Sequence, residues 1–437
     1  MSQQILTEPD APSSAAGFWV GVRDYAALVR MINRDARFYL LGSFLMGVNF
    51  EIFNLLLNLY LKELRFGEGD IGFVNAGRAL GMSIMAIPAS ILFSRFHLRP
   101  LLILGVIGFG LFSVLLITTQ ELWLLMGLSL LAGVSWSLFR VFSGPFYMRN
   151  STTVERTHLF SISFAVLLLA GMAGSAGAGK LVTVLGDLTG DIILGYKYTL
   201  VAGVGIGLLA MIPFSMISRQ PPGGPGSRVS LTLEQLRNRG GFYFRLTFVN
   251  FVIGIGAGLI IPFLNLYFKE RFHLAPDMIG LFYFCVSCSM FLGTLAGPIL
   301  ARRFGLVRTV VFTQLASIPF MLTLAFTYVL PIAFVAFVIR GGLMNLNGPI
   351  SSHLAMELSE EKERTLVNAL LLISWTASWM IAVAIGGQLV ERYGFTLVLN
   401  IAGGLYVCAS IMYFRFFRHI ERRKDGGVGW YISEGDA

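Results

Sequence analysis

Charge is scarce in this chain. Only 13% of its 437 residues are Asp, Glu, Lys or Arg, and only 24 are acidic, against 37 phenylalanines. A soluble domain carries about 25% charged residues. Long polar stretches are missing too, which excludes a large soluble catalytic domain, so no enzyme is expected. Three cysteines exclude a disulfide framework. Two of them, Cys285 and Cys288, form a C-x-x-C inside an apolar run, with no second pair and no nearby His, so no metal site is expected. No glycine-rich phosphate loop is present, so nucleotide hydrolysis is not the energy source. The first 16 residues are polar and lack the basic segment and apolar core of a cleavable signal peptide.

What fills the chain instead is apolar sequence, 55% of residues. At roughly 20 apolar residues per span there is room for about twelve membrane helices. Bands fall at 38–62, 70–93, 100–119, 122–147, 157–184 and 197–217, and again at 242–268, 277–301, 307–328, 331–356, 365–390 and 395–418. Between the two sets, Pro221, Pro222, Gly223, Gly224, Pro225 and Gly226 break the pattern. The expected fold is an all-α integral membrane protein of twelve helices in two six-helix bundles. Residues 1–37 form a tail with a surface amphipathic helix near 18–35, 38–217 the first bundle, 218–241 a linker, 242–418 the second bundle and 419–437 a second tail.

Positive charge sets the expected orientation. With the N-terminus inside, 23 of the 33 Lys and Arg fall on inner segments and seven on outer ones. Both termini are then cytoplasmic, in a plasma (inner) membrane. The basic excess reads as topology, so nucleic acid is not an expected partner. The expected partners are membrane lipids and a small-molecule substrate, with the chain a monomer.

An internal repeat is the strongest feature. Asn58-Leu-Tyr-Leu-Lys-Glu63 recurs as Asn265-Leu-Tyr-Phe-Lys-Glu270. Ile71-Gly72 returns as Ile279-Gly280, Arg95-Phe96 as Arg303-Phe304, Glu155-Arg156-Thr157 as Glu363-Arg364-Thr365, and Gly179 as Gly387. Each half holds six bands and starts on the inside, so the halves share one orientation. This arrangement resembles the major facilitator superfamily, over residues 38–418. The resemblance implies a central site between two bundles and alternating access by rocking. It also points to cytoplasmic gate residues at Arg95, Arg302 and Arg303, where the loops keep the family's Arg without its acidic partner. Arg140, four residues before Gly144, reads as a gate or snorkelling residue. Gly174, Gly177 and Gly179 approximate an antiporter motif of the fifth helix, without its Pro; the alternative is a seam of close packing through Gly171, Gly174 and Gly177.

Ionisable groups at bilayer depth are costly and point to function. Glu51 is the one acid in the middle of a span. Glu51, Arg78 and Arg340 all lie roughly 12–16 Å from the outer helix ends, at 1.5 Å per residue. Glu51 is the expected proton-coupling group, with a structural ion pair to Arg78 or direct contact with the substrate as the alternatives. Arg340 suits an anion or a counter-ion. Asn54 and Asn58 extend a polar stripe from Glu51, and Asn265 repeats Asn58. Asn75, Asn345, Asn347, Trp375 and Trp379 complete the expected cavity. The function this implies is a secondary active transporter driven by a proton gradient, exporting small organic or amphipathic compounds by antiport and needing no cofactor. The competing readings are an importer of a small anionic metabolite, a lipid flippase, and a non-transporting receptor.

Overall fold

The structure, a computed structural model, describes residues 33–151, 153–219, 233–359 and 363–419, with two short paired strands, Glu421–Arg423 and Trp430–Ile432. The expected amphipathic helix at 18–35 lies outside these residues apart from its last positions. The helices are α1 Arg34–Glu63, α2 Glu68–Arg95, α3 Leu98–Thr118, α4 Leu122–Arg149, α5 Thr153–Thr189, α6 Ile192–Leu209 and α7 Met211–Ser215 in the first half. The second half has α8 Leu233–Ile260, a 3₁₀ turn Ile261–Phe263, α9 Leu264–Phe272, α10 Pro276–Phe304, α11 Leu306–Phe326, α12 Leu330–Asn345, α13 Asn347–Glu357 and α14 Arg364–Phe417. Among the described residues, ten helical stretches are long and apolar enough to cross a membrane.

Proline sets several breaks. It lacks the N–H that would bond the carbonyl four residues earlier. Pro213 therefore frees the carbonyl of Leu209, where α6 ends, and Pro349 frees that of Asn345, where α12 ends. The α14 stretch turns at Gly394, whose φ of 76° and ψ of 170° suit only glycine. Helix formation begins inside the expected linker, 218–241. Residues 220–232 lie outside the described set, but α8 begins at Leu233, because the segment from 233 is rich in helix-forming Leu, Glu and Gln. It kinks at Arg239, before Gly240 and Gly241. Arg239 is held there by Glu363 at 2.8 Å and by the carbonyl of Leu358 at 3.3 Å.

The halves meet along two seams, α2 against α14 and α5 against α10. Both depend on glycine. A Cβ on Gly72 would lie 3.1 Å from the Cα of Gly387, and one on Gly280 would lie 3.0 Å from the Cα of Gly179. Gly72 and Gly280 are repeat equivalents, as are Gly179 and Gly387. The two seams are thus one contact made twice.

Candidate functional site

At one end of the molecule the repeated hexapeptide closes on itself. Asn58 Nδ2 donates to the carbonyl of Pro262 at 2.6 Å, and Asn265 Nδ2 donates to the carbonyl of Leu55 at 2.7 Å. Leu55 and Pro262 are separated by the same interval as Asn58 and Asn265, so the bonds are reciprocal. The ion pairs repeat the pattern: Lys62 meets Glu270 at 2.8 Å, and Lys269 meets Glu63 at 2.6 Å. Lys62 also pairs with Glu68. Each tyrosine of the hexapeptide anchors its own half. Tyr60 Oη donates to the Ile117 carbonyl at 2.9 Å, and Tyr267 Oη to the Leu324 carbonyl at 2.7 Å. At α14, the Glu391 carboxylate accepts from the backbone N–H of Gly69 at 2.8 Å.

The carbonyl that receives Asn58 is available because the helix is broken there. Asn265 Oδ1 accepts from its neighbour's N–H, Leu266, at 2.9 Å, in place of the helical bond from Leu266 to Pro262. Asn75 adds a third amide, donating to Asn58 Oδ1 at 2.8 Å. All three asparagines are at least nine-tenths buried. Asn58 and Asn265 therefore do not line the cavity, contrary to the sequence expectation. They form the layer that closes it.

Below this clasp lies a cavity of about 710 Å³ between the halves. Glu51, Asn54, Arg340, Asn345, Trp375 and Trp379, all expected there, contribute to its wall, as does Asn347. Arg78 does not. Its Nη2 donates to Asn54 Oδ1 at 3.2 Å and Asn75 Oδ1 at 3.1 Å, and its guanidinium lies 5.4 Å from the Phe50 ring centroid. No ion pair within 4.0 Å joins Glu51 to Arg78 among the described residues; Arg78 braces the amides behind Glu51 instead. The structural ion pair is thus replaced by a hydrogen-bonded brace, because Asn54 and Asn75 offer oxygens closer to the guanidinium.

Arg340 is 4% exposed. Its Nη2 reaches Tyr406 Oη at 3.4 Å, and its Nε has no hydrogen-bond partner. Trp375 and Trp379 form a tilted pair, with ring centroids 5.7 Å apart. Asn347 Oδ1 accepts from Thr313 Oγ1 at 2.6 Å, which fixes its amide. Asn250, Tyr283, Gln314 and Tyr406 also reach the wall. The sequence reading passed over them, although Asn250 and Gln314, as polar residues inside apolar bands, carried a usable signal.

The glycines of α5 divide in their roles. Gly174 packs on α1, where a Cβ would lie 2.9 Å from Glu51 Cβ. Gly171 faces the cavity, with Ser287 Oγ the nearest atom to such a Cβ at 3.9 Å, and Gly177 has open space. The expected gate arginines Arg95, Arg302 and Arg303 occupy the last turns of α2 and α10 and are exposed, as is Arg140 on α4. They stand at the helix ends opposite the clasp, or, for Arg140, nine residues from the end of α4. The thiols of Cys285, Cys288 and Cys408 are free.

Comparison with known proteins agrees with this architecture. The family model of the Major Facilitator Superfamily matches residues 39–244 and 246–429. Sugar efflux transporter A of Escherichia coli (strain K12) is 25% identical over 187 residues, 41% of this chain and 47% of that protein, so the match spans about half of the relative's length. Two solved structures share the fold at low identity. A bacterial homologue of the human lysosomal transporter Spinster, in an inward-facing, occupied conformation, superposes with a TM-score of 0.73 at 14% identity, over 88% of this chain and 96% of that one. A D-xylose–proton symporter gives 0.70 at 15% identity, over 88% and 97%. A family match over nearly the whole chain, with the duplicated halves and the cavity between them, makes this multi-pass membrane protein a member of the Major Facilitator Superfamily, a transporter by family and not an enzyme.

Proposed function

We propose that the chain is a secondary transporter that works by alternating access, with a small organic substrate in the central cavity and proton coupling through Glu51. One observation carries this reading: among the described residues, a single carboxylate faces a cavity that is shut at one end by a reciprocal, breakable set of hydrogen bonds and ion pairs. Glu51 has no hydrogen bond or ion pair among the described residues, so its proton is free to exchange through the cavity. The clasp has the form of a gate, since two equivalent halves related by a pseudo-two-fold rotation and released together open as a unit.

In this reading twelve helices span a plasma (inner) membrane, six in each half. The ten apolar stretches support that count once α2 is added and α14 is divided at Gly394. The clasp is the outer gate, both termini are cytoplasmic, and Arg95, Arg302 and Arg303 belong to the inner side. The chain acts as a monomer and the proton gradient supplies the energy. Export of the compound in exchange for protons is a second reading, supported by the local likeness to Sugar efflux transporter A.

Alternation is testable without knowing the substrate. Gly171→Cys, with Cys285, Cys288 and Cys408 changed to Ser, puts one thiol in the cavity at a position with room for it. A membrane-impermeant maleimide should label it in right-side-out and in inverted vesicles. Labelling from one side only would overturn alternating access.

A further inference from the structure

The charge around the cavity is unevenly divided. The first half contributes Glu51, with Arg78 behind it, and with Glu51 ionised these two sum to zero. Among the described wall residues, the second half contributes Arg340 alone. No carboxylate lies within 4.0 Å of Arg340 among the described residues, and its Nε is buried without a hydrogen-bond partner. A buried cation without a counter-charge is expensive. Guanidinium is also a fixed, planar fork that matches a carboxylate in two-point contact. What the second half lacks is one negative charge presented by a planar acceptor.

The rest of the wall describes the body that carries this charge. Trp375 and Trp379 offer ring faces, and Tyr283 and Phe337 add aromatic surface. Leu167 and Leu264 are among the aliphatic groups that complete the wall. Asn345 supplies an amide for a secondary polar contact. A cavity of about 710 Å³ lies within the range of sites that enclose small organic molecules.

We propose that the cavity is an organic-anion site, in which a single carboxylate sits on Arg340 and a compact ring or apolar body lies against Trp375 and Trp379. The proposal rests on the transport reading above, since a site shut at one end releases its ligand to the other side only by alternation. It also fixes the sign of the coupling. The charged and titratable groups near Glu51 are Arg78 from α2, Tyr283 from α10 and Arg340 across the cavity. Protonating Glu51 removes a negative charge from the chamber that receives the anion, so each ligand favours the other by linkage. Proton and anion then travel together. Exchange of substrate for protons needs the opposite sign.

The test uses purified full-length protein and two probe pairs that keep a body and change only charge: benzoate with benzamide, and glucuronate with glucose. Binding is read by titration calorimetry at two pH values. In the wild-type protein at least one anion should bind tenfold or more tighter than its neutral partner, and more tightly at the lower pH. Arg340→Gln should reduce that anion's affinity at least tenfold, to that of the neutral partner, and Arg340→Lys should retain part of it. Glu51→Gln should bind the anion with the same affinity at both pH values. The wild-type pairs need no variant, so a misfolded Arg340→Gln leaves the proposal exposed to refutation. Equal binding within both pairs, binding of glucose or benzamide alone, tighter anion binding at higher pH, or no effect of Arg340→Gln in a folded protein would each overturn it. So would no binding by any probe in protein whose Gly171→Cys variant labels from both sides. Labelling from one side only would instead point to failure of the transport reading.

Discussion

The clasp and the cavity come from the same duplicated helices and have diverged to opposite degrees. At the clasp, equivalent positions hold equivalent residues: Asn58 and Asn265, Tyr60 and Tyr267, Lys62 and Lys269, Glu63 and Glu270. In the cavity they do not. At the intervals that relate the clasp residues and the seam glycines, Glu51 corresponds to Gly258, Trp375 to Leu167 and Trp379 to Gly171. A surface that must close on its own copy is constrained to stay self-complementary, as in an isologous interface. A wall that must grip an asymmetric molecule has no such constraint, and gains by placing its acid on one half and its cation on the other.

The strongest way to break this comparison is to wedge the seams. Gly280→Leu adds a side chain where even a Cβ meets the Gly179 backbone. Overpacking costs about 1–3 kcal/mol, and here the strain falls only on the closed form. Impermeant-maleimide labelling of Gly171→Cys should rise at least tenfold from the clasp side and fall from the other. Unchanged labelling would mean that the seams do not control closure.

Next in size is Glu51→Gln, which keeps the shape and removes the titration. Proton-driven flux of whichever probe binds should disappear in proteoliposomes, with the melting temperature unchanged. Wild-type flux with wild-type pH dependence would remove Glu51 from the coupling and leave the cavity's asymmetry to substrate binding alone.

Arg78→Ala separates bracing from binding. It deletes the charged donor to Asn54 and Asn75 and the contact over Phe50. A hydrogen bond from a charged group contributes about 1.5–3 kcal/mol, so thermal unfolding should shift down by several degrees, with probe affinity little altered. A large affinity loss at unchanged melting temperature would make Arg78 part of the site.

The smallest effect is expected at the rim. Lys62 and Glu270 have side chains 29% and 33% exposed, and such pairs contribute roughly 0.2–1 kcal/mol. Lys62→Glu should raise clasp-side labelling modestly, and adding Glu270→Lys should restore part of it. No recovery in the double variant would show that Lys62 acts through Glu68 instead.

Much of this molecule follows from local physics. Apolar length located the helices, proline placed the ends of α6 and α12, and the repeated hexapeptide announced two related halves. A single acid at mid-span depth marked Glu51 without any knowledge of its neighbours, because burying a carboxylate in a membrane is costly wherever the helix packs. The facing of each polar residue did not follow. Asn54 and Asn58 lie on one stripe of α1, four residues apart, yet one lines the cavity and the other meets the 3₁₀ turn Ile261–Phe263 and α9 across the clasp. Spacing fixes which residues share a stripe, but an amide is satisfied equally well by substrate, water or a carbonyl freed at a break in another helix. Only the packing of the two halves selects among these. The same holds for Arg78 and Arg340. Both are mid-span guanidiniums in the sequence, and tertiary structure alone gave one two amide oxygens and left the other facing the cavity with Nε unpaired.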